Sequence, residues 1–164
     1  VLMLQEELWV DLSAPERLNI LQTVANIERR YLGIPHELNV GVANLGEYTL
    51  GCYDDRKHQI TVSLDSLMND PVEEVLNTVC HESYHAYQHC IVSVLENADE
   101  ESKNLRLFRD AQNYAEEFCD YKSGGQGFYD YYYQECEVDA RAYAKDAVID
   151  YYQRIEEYLL ENKQ

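Results

Sequence analysis

His81 and His85 stand four positions apart, with Glu82 between them, in the stretch Thr78-Val79-Cys80-His81-Glu82-Ser83-Tyr84-His85-Ala86-Tyr87-Gln88-His89. On a helix this HExxH spacing sets two imidazoles one turn apart on the same face. Two neutral imidazoles so placed can bind one Zn²⁺ at about 2.0–2.1 Å each, while the intervening glutamate points beside the ion rather than at it. The chemistry this predicts is the activation of water, with the metal acidifying water to a pKa near 7 and Glu82 acting as general base.

A hydrolytic zinc site needs a third protein ligand and an open position. In Gln134-Glu135-Cys136-Glu137-Val138-Asp139-Ala140-Arg141 two carboxylates stand two residues apart. That is roughly 200° around a helix, so one metal cannot take both. The apolar line Tyr133, Ala140, Ala144 and Val148 passes through Glu137, where an unpaired carboxylate would be costly unless something cationic met it. Glu135 falls on a wetter side, with Val138, Asp139, Ala142 and Asp146. The expected ligands are His81, His85 and Glu137, with Glu135 as the alternative. His89 is expected beside the ligands or at the surface rather than on the metal.

The elements that must position these residues are legible from period and punctuation. Leu8, Trp9, Val10 and Leu12 lead to Ser13, which with Glu16 forms a capping box, and Pro15 suits a first helical turn. A helix is predicted from there, carried by Leu18, Leu21, Val24, Ala25, Ile27, Tyr31 and Leu32, and stopped by Gly33 and Pro35. Three short strands follow, at 38–42, 48–53 and 58–64, the last two joined as a hairpin by Asp54-Asp55-Arg56-Lys57. Ile60, Val62 and Leu64 alternate with Gln59, Thr61 and Ser63, so one sheet face is buried and the other wet. Asn69-Asp70-Pro71 then opens the HExxH helix, with Val72, Val75, Leu76 and Val79 packing it down and Ile91, Val92 and Leu95 continuing it. A polar break at 97–102, a helix at about 105–118, a glycine-rich break at 124–127 and a long helix from about Asp130 to Glu161 complete the chain.

With 164 residues the chain has the length of one ordinary domain. Thirteen Lys and Arg against 31 Asp and Glu give a net charge of −18. That excludes a phosphate backbone or an anionic membrane surface as the natural partner, and favours cationic partners and metal ions. No segment approaches the roughly 18 apolar residues of a membrane span. The five scattered cysteines contain no CxxC pair and read as reduced thiols of a cytosol-like compartment. The chain opens on Val1, so an upstream domain, anchor or cleaved signal is an open expectation.

The His81-Glu82-x-x-His85 pair and the downstream Glu137-x-x-Ala140 resemble the compact zincin metallopeptidases with a glutamate third ligand, including the small ImmA/IrrE-like and related single-domain bacterial proteins. The order of elements resembles them too: a backing helix, a small sheet with a hairpin, the HExxH helix, then a helix bringing the glutamate. The resemblance implies an α+β, zincin-like fold with a small, mostly antiparallel sheet, one Zn²⁺ per chain, and hydrolysis of a peptide or protein substrate. Two patterns differ. The larger thermolysin-type frame, with a glutamate four residues before an aspartate, would select Glu135 with Asp139. HExxHxxxH is also not the HExxHxxGxxH of the metzincins. Fifteen tyrosines supply candidates for an oxyanion donor, Tyr129, Tyr131, Tyr132 and Tyr133 foremost. The strand at 58–64 is the expected edge for an extended peptide. A non-catalytic or autoinhibited module on the same fold is the alternative, although such a scaffold has no need of Glu82. A di-iron carboxylate bundle needs two ExxH motifs. Only Glu82-x-x-His85 supplies one.

Overall fold

Ser13 starts the first long helix as its sequence requires. Its side chain and that of Glu16 form the reciprocal capping box, with the Ser13 N–H donating to Glu16 Oε2 at 2.9 Å. The computed structural model describes residues 1–125 and 127–162, with the backbone alone at Leu107. After a 3₁₀ turn at Leu2–Leu4, the elements are α1 (Glu6–Trp9), α2 (Ala14–Tyr31), β1 (Asn39–Ala43), β2 (Gly51–Asp54), β3 (Gln59–Ser63), α3 (Leu64–Asn69), α4 (Val72–Glu96), α5 (Arg109–Cys119), α6 (Phe128–Tyr132) and α7 (Glu135–Glu161). The class is α+β. Among the described residues no helix is long and apolar enough to cross a membrane.

Helix α4 is the axis of the molecule, packed against α2, α7 and the sheet. Val72, Val75, Leu76 and Val79 bury its first turns against Leu21 and Val24 of α2, Ile60 and Val62 of β3, and Ala144, Val148 and Ile155 of α7. Fully burying side chains of this size is worth roughly 1.5–3 kcal/mol each, so the helix is anchored N-terminal to His81. The expected side-chain cap from Asn69 or Asp70 is not made. Pro71 directly precedes the helix, and Glu6 of α1 accepts from the Val72 N–H at 3.0 Å. Arg17, buried against expectation for a charged residue, donates to the carbonyls of Val10, Leu12, Leu67 and Met68 and lies over the Trp9 ring, tying α1 and α3 to α2. Of the predicted α2 stripe, Ile27 and Tyr31 are instead exposed.

The sheet corrects the expectation of mostly antiparallel strands. Its order is β1-β3-β2, with β2 antiparallel to β3 through the predicted hairpin and β1 parallel to β3, Asn39 against Gln59 and Ala43 against Ser63. The sheet is therefore mixed, and β3 is its centre rather than an edge on which a peptide could lie. The outer side of β1 is already occupied. Gln22 of α2 accepts from the Val40 N–H at 2.9 Å and donates to the Leu38 carbonyl at 2.7 Å. The other edge is β2. Ser63 N–H donates to Leu50 C=O, and alternation along an antiparallel pair then points the N–H and C=O of Gly51 and Tyr53 away from β3.

The long last helix begins later than its apolar line suggested. Tyr133 is exposed and lies between α6 and α7. The break is made by α5: both Glu117 carboxylate oxygens accept from the first free amides of α7, Glu135 N–H at 2.6 Å and Cys136 N–H at 2.8 Å. Gln134 secures the preceding loop by accepting from the Lys122 N–H and donating to the Lys122 carbonyl.

Candidate metal centre

Helix α4 turns His81 and His85 toward the start of α7, and their Nε2 atoms lie 2.9 Å apart. Glu137, in the first turn of α7 and 1% exposed, closes the triangle. Its Oε2 is 3.4 Å from His81 Nε2 and its Oε1 3.3 Å from His85 Nε2. Ligand atoms held at 2.0–2.1 Å by a tetrahedral zinc lie about 3.3 Å from one another. His81, His85 and Glu137 thus have the donor types and the spacing to hold a metal ion, and among the described residues they are the group of His, Cys, Asp or Glu that converges in this way. Glu135 is turned outward and accepts from Asn113 Nδ2 at 2.8 Å.

Hydrogen bonding around the group leaves a place for a cation. Glu137 Oε1 accepts from the Tyr121 hydroxyl, whereas the buried Oε2 has no hydrogen-bond donor. Arg141 Nη1 is 3.7 Å away, and the same guanidinium covers the Tyr132 ring and donates to the Tyr132 carbonyl. The tautomer of His85 follows from its neighbour. Gln88 Nε2 donates to the Cys136 carbonyl at 2.9 Å, which leaves Gln88 Oε1 facing His85 Nδ1 at 2.8 Å. A carbonyl can only accept, so Nδ1 carries the hydrogen and Nε2 presents its lone pair to the group. An orphaned carboxylate oxygen and an aimed imidazole lone pair are what a divalent cation would satisfy.

The electrostatics agree with the geometry. Burial pushes the Glu137 carboxyl up, but the contacts with His81 and His85 and the Tyr121 hydrogen bond outweigh it and hold the group well below the usual carboxylate range. His85 is pushed down by burial, yet Glu137, Glu82 and Gln88 together raise it. Glu82 lies buried beside the two histidines and is raised, first by burial and also by Glu137, against the pull of His85 and His81 and of the Tyr53 amide.

A cleft of about 310 Å³ opens onto the group, walled by Gly51 and Tyr53 of β2, His89, Phe118, Tyr121 and Tyr131. Gly51 permits the close approach of β2 to α4: a Cβ there would meet Thr78 Cγ2 at 2.5 Å and Glu82 Cγ at 3.4 Å. Of the four tyrosines singled out by sequence, Tyr131 lines the cleft, Tyr132 stacks on Arg141, and Tyr129 and Tyr133 face solvent. Tyr121 carries no local sequence signal and was missed, as were Gln88 and Glu117. His89 stacks on Phe118, ring centroids 4.1 Å apart, with Nδ1 4.0 Å from Asp55 Oδ2, and stays outside the metal group. Beyond it, His36 and His58 stack at 3.6 Å, and both ring nitrogens facing Tyr53 lie 3.4 Å from its hydroxyl.

No protein-family model, curated protein or solved structure matches the chain.

Proposed function

We propose that the chain is a zinc-dependent peptidase of zincin type, with His81, His85 and Glu137 as metal ligands and Glu82 as general base. The observation that carries this reading is the meeting, in one cleft, of a His-His-Glu group with its glutamate buried, a second buried carboxyl and the open edge of β2. Zinc bound there would supply a Lewis acid that polarises a carbonyl and acidifies water. The chain's own residues would do the rest. The outward N–H and C=O of Gly51 and the C=O of Tyr53, whose N–H is taken by Glu82, would pair with an extended peptide and hold its scissile bond across the mouth of the group. Glu82, its carboxyl raised by burial beside the two histidines, would accept a proton from the attacking water and deliver it to the leaving amine. Tyr131, in the cleft, is the candidate donor to the developing oxyanion. The net charge of −18 favours basic peptides as substrates.

The test is cleavage of a peptide library by zinc-loaded wild type beside Glu82→Gln. Wild type is expected to cut, and the variant to keep its zinc while losing about 10²–10⁴-fold in rate. Failure of wild type to take up zinc under metal-replete conditions, or undiminished cleavage by Glu82→Gln, would overturn the reading.

A further inference from the structure

A second cavity, larger than the metal cleft, lies away from it and shares no lining residue with it. It measures about 1000 Å³ and opens between the 3₁₀ turn at the N-terminal end, α2 and the C-terminal half of α7. Leu2, Met3, Ile27, Ala147 and Ile155 make it apolar, and four tyrosines, Tyr31, Tyr143, Tyr151 and Tyr158, give it aromatic walls. This is the size and character of a small-molecule site.

Its charged side chains are mostly acidic. Glu28, 3% exposed, faces the cavity and accepts from the hydroxyl of Tyr143 and, at 2.7 Å, from that of Tyr151. Both donors are neutral phenols, pushed above their ordinary pKa by burial and by Glu28 itself. Among the described residues no ion pair reaches the carboxylate, and a buried carboxylate without a cation is expensive. Asp146 and Asp150 add negative charge at the rim. The lining guanidinium, Arg154, is committed to Asp150 at 2.7 Å. Aromatic rings around an uncompensated carboxylate form the chemistry that receives an organic cation, whose charge is drawn both to ring faces and to the acid.

We propose that this cavity binds a small organic cation, an ammonium carried on an apolar body, independently of the metal centre. Glu28 would set the charge it selects, and the tyrosines would provide the faces on which it rests.

The test uses benzyltrimethylammonium as probe, with benzyl alcohol and benzoate as its neutral and anionic counterparts. Binding is followed by calorimetry and by amide chemical shifts, on zinc-loaded and on zinc-free protein. The expected result is saturable binding of the cation in both forms, with shifts confined to α2, α7 and the N-terminal turn, and binding at least about tenfold weaker for the two counterparts. Tyr31→Ala and Tyr158→Ala remove exposed walls that the core does not need, and each is expected to weaken binding about threefold or more. Glu28→Gln is expected to abolish the preference for the cation. Shifts scattered over the acidic surface, equal affinity for benzyl alcohol, or indifference to both tyrosine substitutions would overturn the proposal. Binding to zinc-free protein separates this site from the fate of the peptidase reading.

Discussion

Gln88 joins the two helices that carry the metal group: its Oε1 is 2.8 Å from His85 Nδ1 on α4, and its Nε2 is 2.9 Å from the Cys136 carbonyl, one residue before Glu137 on α7. Gln88→Met keeps the volume and removes both bonds. Zinc affinity, measured by chelator competition, is expected to fall about 10–100-fold. The Cys136 carbonyl would be left unpaired in the interior, at about 1–3 kcal/mol of stability. Unchanged affinity would mean that packing alone orients His85.

The two glutamates at the start of α7 give opposite expectations. Wild type is expected to carry about one zinc per chain, read by elemental analysis, and Glu137→Gln to lose most of it. Glu135→Gln should keep it, since the Glu135 carboxylate is turned outward to Asn113. The reverse pattern would move the third ligand to Glu135 and require α7 to rotate.

Gly51 sits where a methyl group has no room. Thr78 cannot turn its methyl aside cheaply, because its Oγ1 is tied to the Glu74 carbonyl at 3.0 Å, and the Thr61 carbonyl lies 3.3 Å away on the other side. Gly51→Ala is expected to cost about 1–3 kcal/mol in urea unfolding. Adding Thr78→Ser, which deletes the offending methyl, should recover part of that loss. Additive effects would show that the strand has shifted for another reason.

His36 is held below the ordinary histidine value, first by burial, then by His58, with Arg29 adding to the depression and Asp55 opposing it. The unfolded chain therefore takes up protons near pH 6.5, where the folded chain does not yet do so. Stability is complete above about pH 6.5 and is lost as pH falls below it. His36→Phe keeps a ring on His58 but cannot charge. Relative to wild type it is expected to gain stability between pH 7 and pH 5, and equal acid limbs for the two proteins would sink this account.

Glu137 could be read from sequence because a carboxylate on an apolar helical line announces a partner, and the HExxH spacing announces itself. The capping box at Ser13 was likewise a local signal and was met; the alternation in β3 held at Ile60 and Val62 but not at its end, where Ser63 is buried and Leu64, exposed, opens α3. The parallel pairing of β1 with β3 was not legible, because strand order is decided by how α2 and α4 cover the sheet rather than by either strand's own pattern. The break before α7 is of the same kind. Tyr133-Gln134 contains no helix breaker, and the interruption is imposed by Glu117 from another helix. Gln88 and Tyr121 are single polar residues without period or spacing, so their roles appear only when the two helices are seen together.

The Gln22 amide that seals β1 also decides how this molecule can associate. A second copy that extended the sheet would be turned away at β1 and admitted at β2, the strand that walls the cleft. Sheet-mediated self-assembly and entry to the cleft are thus mutually exclusive, and crowding the chain would close the cleft by occupancy rather than by unfolding.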